Sequence, residues 1–260
     1  MSQLSRPLAG KVAFVAGGSG GIGGPLAAAL GEAGADVAIT YRSRPERAHE
    51  VIAQIEAAGC RGIAYELDVR DPAAIAATVT RAAGALGPID ILLTAIGAGA
   101  HEFFLKQDPA EWERVWETDI RSIFFLCRAA LPFMVERKSG RVIFLSSDSA
   151  KAGNSGGAVS SAARGALHSF IKSMTREHGR DNITFNAVCP GPTRTDTLDK
   201  LLADDREGHM KYWERVVRNI PLKRAGETSE IAGLVVYLAS PLGGFVTGQA
   251  ISVSGGLTMV

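Results

Sequence analysis

The sequence predicts a single doubly wound α/β domain, a parallel sheet with helices on both faces. Three observations point to it. Short apolar runs alternate with helical patterns from one end of the chain to the other. The runs are continuously apolar rather than alternating, as expected of strands covered on both faces. A glycine-rich turn joins the first run to the first helical pattern.

The elements follow in order. Lys11 to Ala16 is a buried strand and Pro25 to Ala33 a helix. Asp36 to Tyr41 is a second strand, and Pro45 to Ala58 is amphipathic at helical spacing. Gly62 to Leu67 is a strand, Pro72 to Ala85 a helix, and Ile89 to Ala95 a fourth strand. One long helix is expected from Pro109 to Lys138. Arg141 to Ser146 is the fifth strand, Ser160 to Gly179 a helix, and Ile183 to Val188 the sixth strand. A helix from Glu227 to Ala239 and a strand from Ala250 to Val253 close the pattern. Right-handed crossovers then wind the sheet in both directions.

The 260 residues suit one such domain, so residues 1–260 are read as a unit. A formal net charge of +1 removes the electrostatic case for nucleic acid or a membrane surface. Every apolar stretch is broken short of the ~20 residues that a membrane span needs. Met1 to Gly10 lacks a basic-then-apolar leader pattern, so the cytoplasm is expected. Cys60, Cys127 and Cys189 lie far apart and read as reduced thiols. His101, His168 and His178 are isolated, and no metal site is expected. The polar segment 195–219 follows the carboxyl end of the sixth strand, where open α/β sheets bind ligands, and is read as a lid.

The turn Gly17-Gly18-Ser19-Gly20-Gly21-Ile22-Gly23 fits G-x-G-x-x-G at 18, 20 and 23, and G-x-x-x-G-x-G at 17, 21 and 23. Such a turn brings backbone N–H groups and a helix N-terminus to a dinucleotide pyrophosphate. A Cβ there would block the approach. An acidic residue at the tip of the second strand would favour NAD. Here the tip reads Tyr41-Arg42-Ser43-Arg44. Guanidinium and hydroxyl groups suit a 2′-phosphate, so NADP(H) is expected over NAD(H).

At this point the chain resembles the short-chain dehydrogenase/reductase family over nearly its whole length. The glycine turn, Leu67-Asp68-Val69, and Trp112-Glu113-Arg114-Val115 carry the resemblance. So do Cys189-Pro190-Gly191-Pro192-Thr193 and the tail from Thr247-Gly248-Gln249 to Ser254-Gly255-Gly256. The resemblance implies a seven-stranded parallel sheet and hydride transfer between NAD(P) and a small-molecule carbonyl or alcohol. It also implies a homotetramer or homodimer, with a hetero-oligomer beside a homologous active chain as the alternative. For the cofactor it implies contacts from Gly17, Ser19, Gly20, Gly21, Ile22, Gly23, Arg42, Ser43, Asp68 and Val69. Ala95, Gly97, Arg164, Pro190, Gly191 and Thr193 complete that set.

The family's chemistry rests on Asn, Ser, Tyr and Lys. Counting from Arg141 to Ser147 puts Ser147 on the catalytic Ser. The Tyr position is then Ser160, the Lys position Arg164 and the Asn position Asp119. A serine hydroxyl ends ångströms short of a phenol and is a far weaker acid. A guanidinium stays charged and cannot cycle as a base. Asp119 is expected to pair with Arg164, Lys151 or another nearby cation. Tyr212 in the lid, Asp148 and Lys151 are the substitutes considered for proton transfer. Relatives that reduce conjugated acyl-CoA bonds carry a Tyr where this chain has Ser149, so that match fails. Halide-releasing relatives keep the Tyr and degrade the glycine turn, the opposite of this chain. The segments Cys189 to Thr193 and Ser254 to Met259 resemble hydroxyacyl-CoA dehydrogenases, whose pathways pair active with inactive subunits, and an acyl thioester is one substrate considered. Two readings stand: an oxidoreductase with an altered catalytic set, or an inactive subunit or scaffold partnering an active homologue. Apolar Ile123, Phe124, Phe125, Leu126 and Leu131, with the helix near Ser160, are expected to form a subunit face.

Overall fold

The computed structural model describes residues 6–99, 102–203 and 208–260, without the side chains of residues 197, 200, 201, 209 and 212. Seven parallel strands form one sheet in the order β3-β2-β1-β4-β5-β6-β7. They are β1 (Val12–Ala16), β2 (Asp36–Tyr41), β3 (Gly62–Glu66), β4 (Ile91–Thr94), β5 (Gly140–Leu145), β6 (Ile183–Pro190) and β7 (Ala250–Val253). The order reverses between β1 and β4, which opens a ligand crevice at the carboxyl ends of the strands.

Helices α1 (Gly23–Glu32), α2 (Pro45–Ala57) and α10 (Thr228–Ala239) cover one face. Leu26, Leu30, Val51, Ile55, Ile231 and Val235 pack there against Val15, Ile39 and Leu93 of the sheet. On the other face lie α3 (Pro72–Leu86), α5 (Ser122–Arg137) and α7 (Ala158–His178). Ile75, Val79, Leu126, Leu167 and Ile171 pack there against Phe14, Leu92, Phe144 and Phe185. Burying such side chains on both faces is the main stabilising term, about 1.5–3 kcal/mol for each large one. Local chemistry sets the element ends. Asp71 caps α3 by accepting from the amides of Ala73 and Ala74, with Pro72 at the first helical position. Asp108 caps α4 (Pro109–Trp116) in the same way.

Three differences from the sequence reading matter. The helix expected from Pro109 to Lys138 is α4, a π-helical turn over Glu117–Arg121, and α5 in succession. A 3.6-residue repeat cannot signal that insertion, and such turns cluster at functional sites. The segment 195–219 contains α8 (Asp196–Ala203) and α9 (His209–Asn219), so the expected lid is partly helical. Finally, Ile123, Leu126 and Leu131 face the chain's own core, not a subunit face. Phe124 is 44% exposed and lies 4.8 Å from the Phe170 ring.

Candidate active site

The site is built from the carboxyl ends of the strands. Gly17 leaves β1 with φ +83, a conformation that side chains rarely adopt. A Cβ there would stand 2.5 Å from the carbonyl oxygen of Ala95. A Cβ on Gly18 would meet Ile39 Cβ at 2.6 Å, and one on Gly23 would meet the Gly17 carbonyl oxygen at 2.2 Å. These three positions are therefore closed to larger residues, and both sequence spacings contain part of the requirement. Gly21 differs, since its Cβ would meet only the Thr195 side chain, at 3.2 Å. The amide of Gly17 donates to Thr40 Oγ1 at 3.0 Å and locks the turn to β2.

This turn opens a cavity of about 280 Å³. Gly17, Ser19, Gly20, Arg42, Ser43, Asp68, Val69, Ala95 and Gly97 all line it, as the sequence reading expects of a dinucleotide site. Gly21, Ile22 and Gly23 shape the turn without lining the cavity. Arg70 was not foreseen. Its guanidinium Nε donates to Asp68 Oδ1 at 3.0 Å and holds that carboxyl down at about 2. Arg114 and Thr118 at the cavity wall were also missed. Arg114 pairs with Glu111 and donates from Nη1 to the Ala98 carbonyl at 3.1 Å, pinning the loop that carries Gly97.

A second cavity, of about 590 Å³, adjoins Ser147 and Arg164. Pro190 and Gly191 line it, while Thr193 lies behind them and donates from Oγ1 to the Gly191 carbonyl at 2.9 Å. From α9, Trp213, Val216 and Asn219 form a further wall. Helical amphipathicity in the lid was the signal that could have found them. Segment 195–219 also touches α2. Arg47 of α2 bonds Asp196 of α8 at 2.7 Å, a surface pair that contributes little alone. The side chain of Tyr212 lies outside the described residues.

Ser160 and Arg164 sit one turn apart on α7, and Arg164 Nη1 donates to Ser160 Oγ at 2.6 Å. Arg164 Nη2 lies 3.8 Å from Asp119 Oδ2, the pairing the sequence suggested. Asp119 Oδ1 accepts from the Ala98 amide at 2.7 Å. Gly97 makes room, for a Cβ there would stand 2.7 Å from Arg164 Nη2. Arg164 thus lies against the wall of the first cavity and lines the second. Ser160 does not line the second cavity, is 2% exposed and already takes the guanidinium's hydrogen bond. Ser147 does line it, and its Oγ accepts from Ser149 Oγ at 3.0 Å. Asp148 lines the same cavity, is 5% exposed, and neither carboxylate oxygen has a hydrogen-bond partner among the described residues. Lys151 is drawn away, donating to Ser252 Oγ at 3.1 Å and to the Val260 carbonyl at 2.5 Å. The four groups assigned to catalysis therefore divide. Ser147 and Arg164 meet at a cavity, while Ser160 and Asp119 brace Arg164 from behind.

Burial pushes the Asp119 carboxyl above its usual 3.8, and the Ala98 amide, Arg164 and Arg114 offset this only in part. The folded chain then keeps this proton to higher pH than the unfolded chain does. Stability from this group is complete below pH 3.8 and declines as pH rises through the raised folded value. Asp119→Asn removes that decline. Urea unfolding across pH should show the variant gaining on the parent as pH climbs from 3.8, then holding a constant lead. A difference independent of pH would contradict this.

Among the described residues, no group of three His, Cys, Asp or Glu side chains is placed to hold a metal ion. No helix among them is long and apolar enough to cross a membrane.

The comparisons with known proteins agree with this architecture. A family described as enoyl-(acyl carrier protein) reductase matches residues 16–258. Nodulation protein G of Azospirillum brasilense is 35% identical over 247 residues, spanning 95% of this chain and 98% of that protein. The 3-oxoacyl-[acyl-carrier-protein] reductase of Escherichia coli K12 is 34% identical, over 96% and 98% of the two chains. A short-chain dehydrogenase/reductase from Serratia marcescens superposes with a TM-score of 0.89 at 33% identity, over 97% of this chain and 100% of that one. The chain therefore belongs to the short-chain dehydrogenase/reductase family and has that family's oxidoreductase architecture.

Proposed function

We propose that this protein is an NADP(H)-dependent oxidoreductase acting on a carbonyl or hydroxyl group, in an acyl thioester by preference, with an altered catalytic set. The observation that carries the reading is the glycine cradle, where Cβ atoms at 17, 18 and 23 would strike backbone or the base of Ile39. Space of that kind, kept free of side chains beside Arg42, Ser43 and Arg44, fits a dinucleotide with a 2′-phosphate. Two relatives support the choice. A blue fluorescent protein from a metagenomic library, solved in complex with NADPH, is 34% identical with a TM-score of 0.87. A 3-oxoacyl (acyl-carrier-protein) reductase from Agrobacterium tumefaciens, solved with NADP bound, is 30% identical with a TM-score of 0.89. The acyl-thioester preference draws on the acetoacetyl-CoA reductase of Shinella zoogloeoides, 35% identical over 95% of this chain and 98% of that protein.

When bound, a nicotinamide dinucleotide supplies a hydride donor or acceptor. The chain's own groups bind and orient. The turn amides and the α1 N-terminus would hold the pyrophosphate, Arg42 and Arg44 the 2′-phosphate, and Asp68 the adenosine. Ser147 presents a hydroxyl to the ligand oxygen. Arg164 adds fixed positive charge where negative charge develops on that oxygen. It cannot give up a proton. Proton delivery therefore falls to water in the second cavity, beside Asp148, which lines the same space.

The test is turnover of NADPH with a panel of ketones and 3-oxoacyl thioesters. Ser147→Ala should lower kcat/KM by about a hundredfold, the scale of removing one oxyanion donor. A second reading, a non-catalytic subunit beside an active homologue, is favoured by the buried, already bonded Ser160 hydroxyl. NADPH binding without turnover, not restored by Ser160→Tyr with Arg164→Lys, would favour it over the first.

A further inference from the structure

The amino ends of the strands, opposite both cavities, hold cations with too little negative charge around them. Lys11 precedes β1, Arg141 lies in β5, and Arg137 ends α5. Asp90, just before β4, is the carboxylate paired with this group among the described residues. It is shared between two cations and a backbone amide. Oδ1 accepts from Lys11 Nζ at 3.3 Å and Arg137 Nη2 at 3.0 Å, and Oδ2 accepts from the Val12 amide at 2.9 Å. Arg141 has no ion pair among the described residues, and its Nη1 donates only to the Gly140 carbonyl, at 3.0 Å. Arg141 Nε and Arg137 Nη1 are buried with no hydrogen-bond partner among the described residues. Burial also pushes the Arg141 guanidinium below its usual range, as expected of a cation losing water without gaining a counter-charge.

Lys11, Asp90, Ser139 and Arg141 form the polar lining of a cavity of about 100 Å³, with Leu8 and Pro241 among its apolar walls. That is roughly three times the ~30 Å³ that one water occupies in the liquid. It has room for one small anion and none for a nucleotide or an acyl chain. Of the two cations in the lining, Lys11 is paired with Asp90, and Arg141 is left without a counter-charge among the described residues. This leaves a net positive charge that selects an anion.

We infer that this pocket binds a single tetrahedral oxyanion, phosphate or sulfate, through Arg141, Lys11 and the Ser139 hydroxyl. The anion bridges the starts of β1, β4 and β5 and the segment carrying Leu8. A ligand bound only by the folded chain raises its stability by mass action.

Thermal unfolding against sodium phosphate tests this, with sodium chloride and sodium acetate at matched ionic strength. The work uses the Arg42→Gln/Arg44→Gln background, so that a 2′-phosphate site cannot dominate the response. A saturable rise in Tm with phosphate, and with neither chloride nor acetate, is expected. Arg141→Gln should abolish it. Lys11→Gln should raise the half-saturating phosphate concentration about tenfold, the effect of losing one charge-assisted hydrogen bond. The Lys11 side chain is 43% exposed, so this variant folds even where Arg141→Gln does not. Equal responses to phosphate and chloride or acetate, or an unchanged half-saturation in Lys11→Gln, would overturn the assignment.

Discussion

Gly23→Ala is expected to lower NADPH affinity by about a hundredfold, the scale of losing two charge-assisted hydrogen bonds. The added methyl stands 2.2 Å from the Gly17 carbonyl oxygen and 3.1 Å from Ala95 Cβ. The first neighbour is backbone, so relief requires the turn itself to move. That turn carries the amides proposed to face the pyrophosphate. The same overpacking should cost about 1–3 kcal/mol of stability. Gly84→Ala is the control, since nothing lies within 4 Å of its Cβ and it sits inside α3. That variant should gain about 0.5–1 kcal/mol and leave binding unchanged. Isothermal titration and urea unfolding of the pair separate a binding effect from a folding effect. Equal affinities in Gly23→Ala and Gly84→Ala would remove the cradle from the account.

Arg164→Met should destabilise the fold by about 3–5 kcal/mol, because it strips a buried carboxylate of its cation. Asp119 is 2% exposed, its Oδ2 has no hydrogen-bond partner, and the nearest cation is Arg164 at 3.8 Å. The spacing is long for an ion pair and places the effect at the lower end of that range. A second substitution identifies the cause. Asp119→Asn should recover most of the loss, since a neutral amide keeps an oxygen for the Ala98 amide and needs no counter-charge. Simple loss of packing by Arg164 would leave the double variant as unstable as the single one.

These effects show which parts of the site the sequence could carry. The glycine turn was legible because backbone sterics restrict the residue type directly, and Gly17, with φ +83, is the plainest case. Arg42 and Ser43 were legible as cavity lining because they follow β2 directly at the carboxyl end of the sheet. The pairing of Asp119 with Arg164 was legible as a pair of opposite charges, but not as a geometry. It depends on a π turn in one helix, a cleared Gly97 and a serine at 160 short enough to accept from Arg164. Each of those lives in a different part of the chain, and no local periodicity links them. Arg114 and Trp213 were missed because they join a cavity wall from distant parts of the chain, whereas Arg70 was missed although its partner Asp68 lies only two residues away. The subunit face expected on the long helix failed at Ile123, Leu126 and Leu131 because an apolar run does not say which layer buries it. The short helix α6 (Ser149–Ala152) escaped because four small or polar residues carry no helical repeat.

The most direct measurement is a fluorescence titration of NADPH and of NADH into the unmodified protein and into Arg42→Gln/Arg44→Gln. Saturable binding of both nucleotides is expected, with NADPH the tighter. NADPH affinity should fall roughly ten- to a hundredfold in the double variant, with NADH unchanged. Failure of either nucleotide to bind the unmodified protein, or an equal loss of both in the variant, would contradict it.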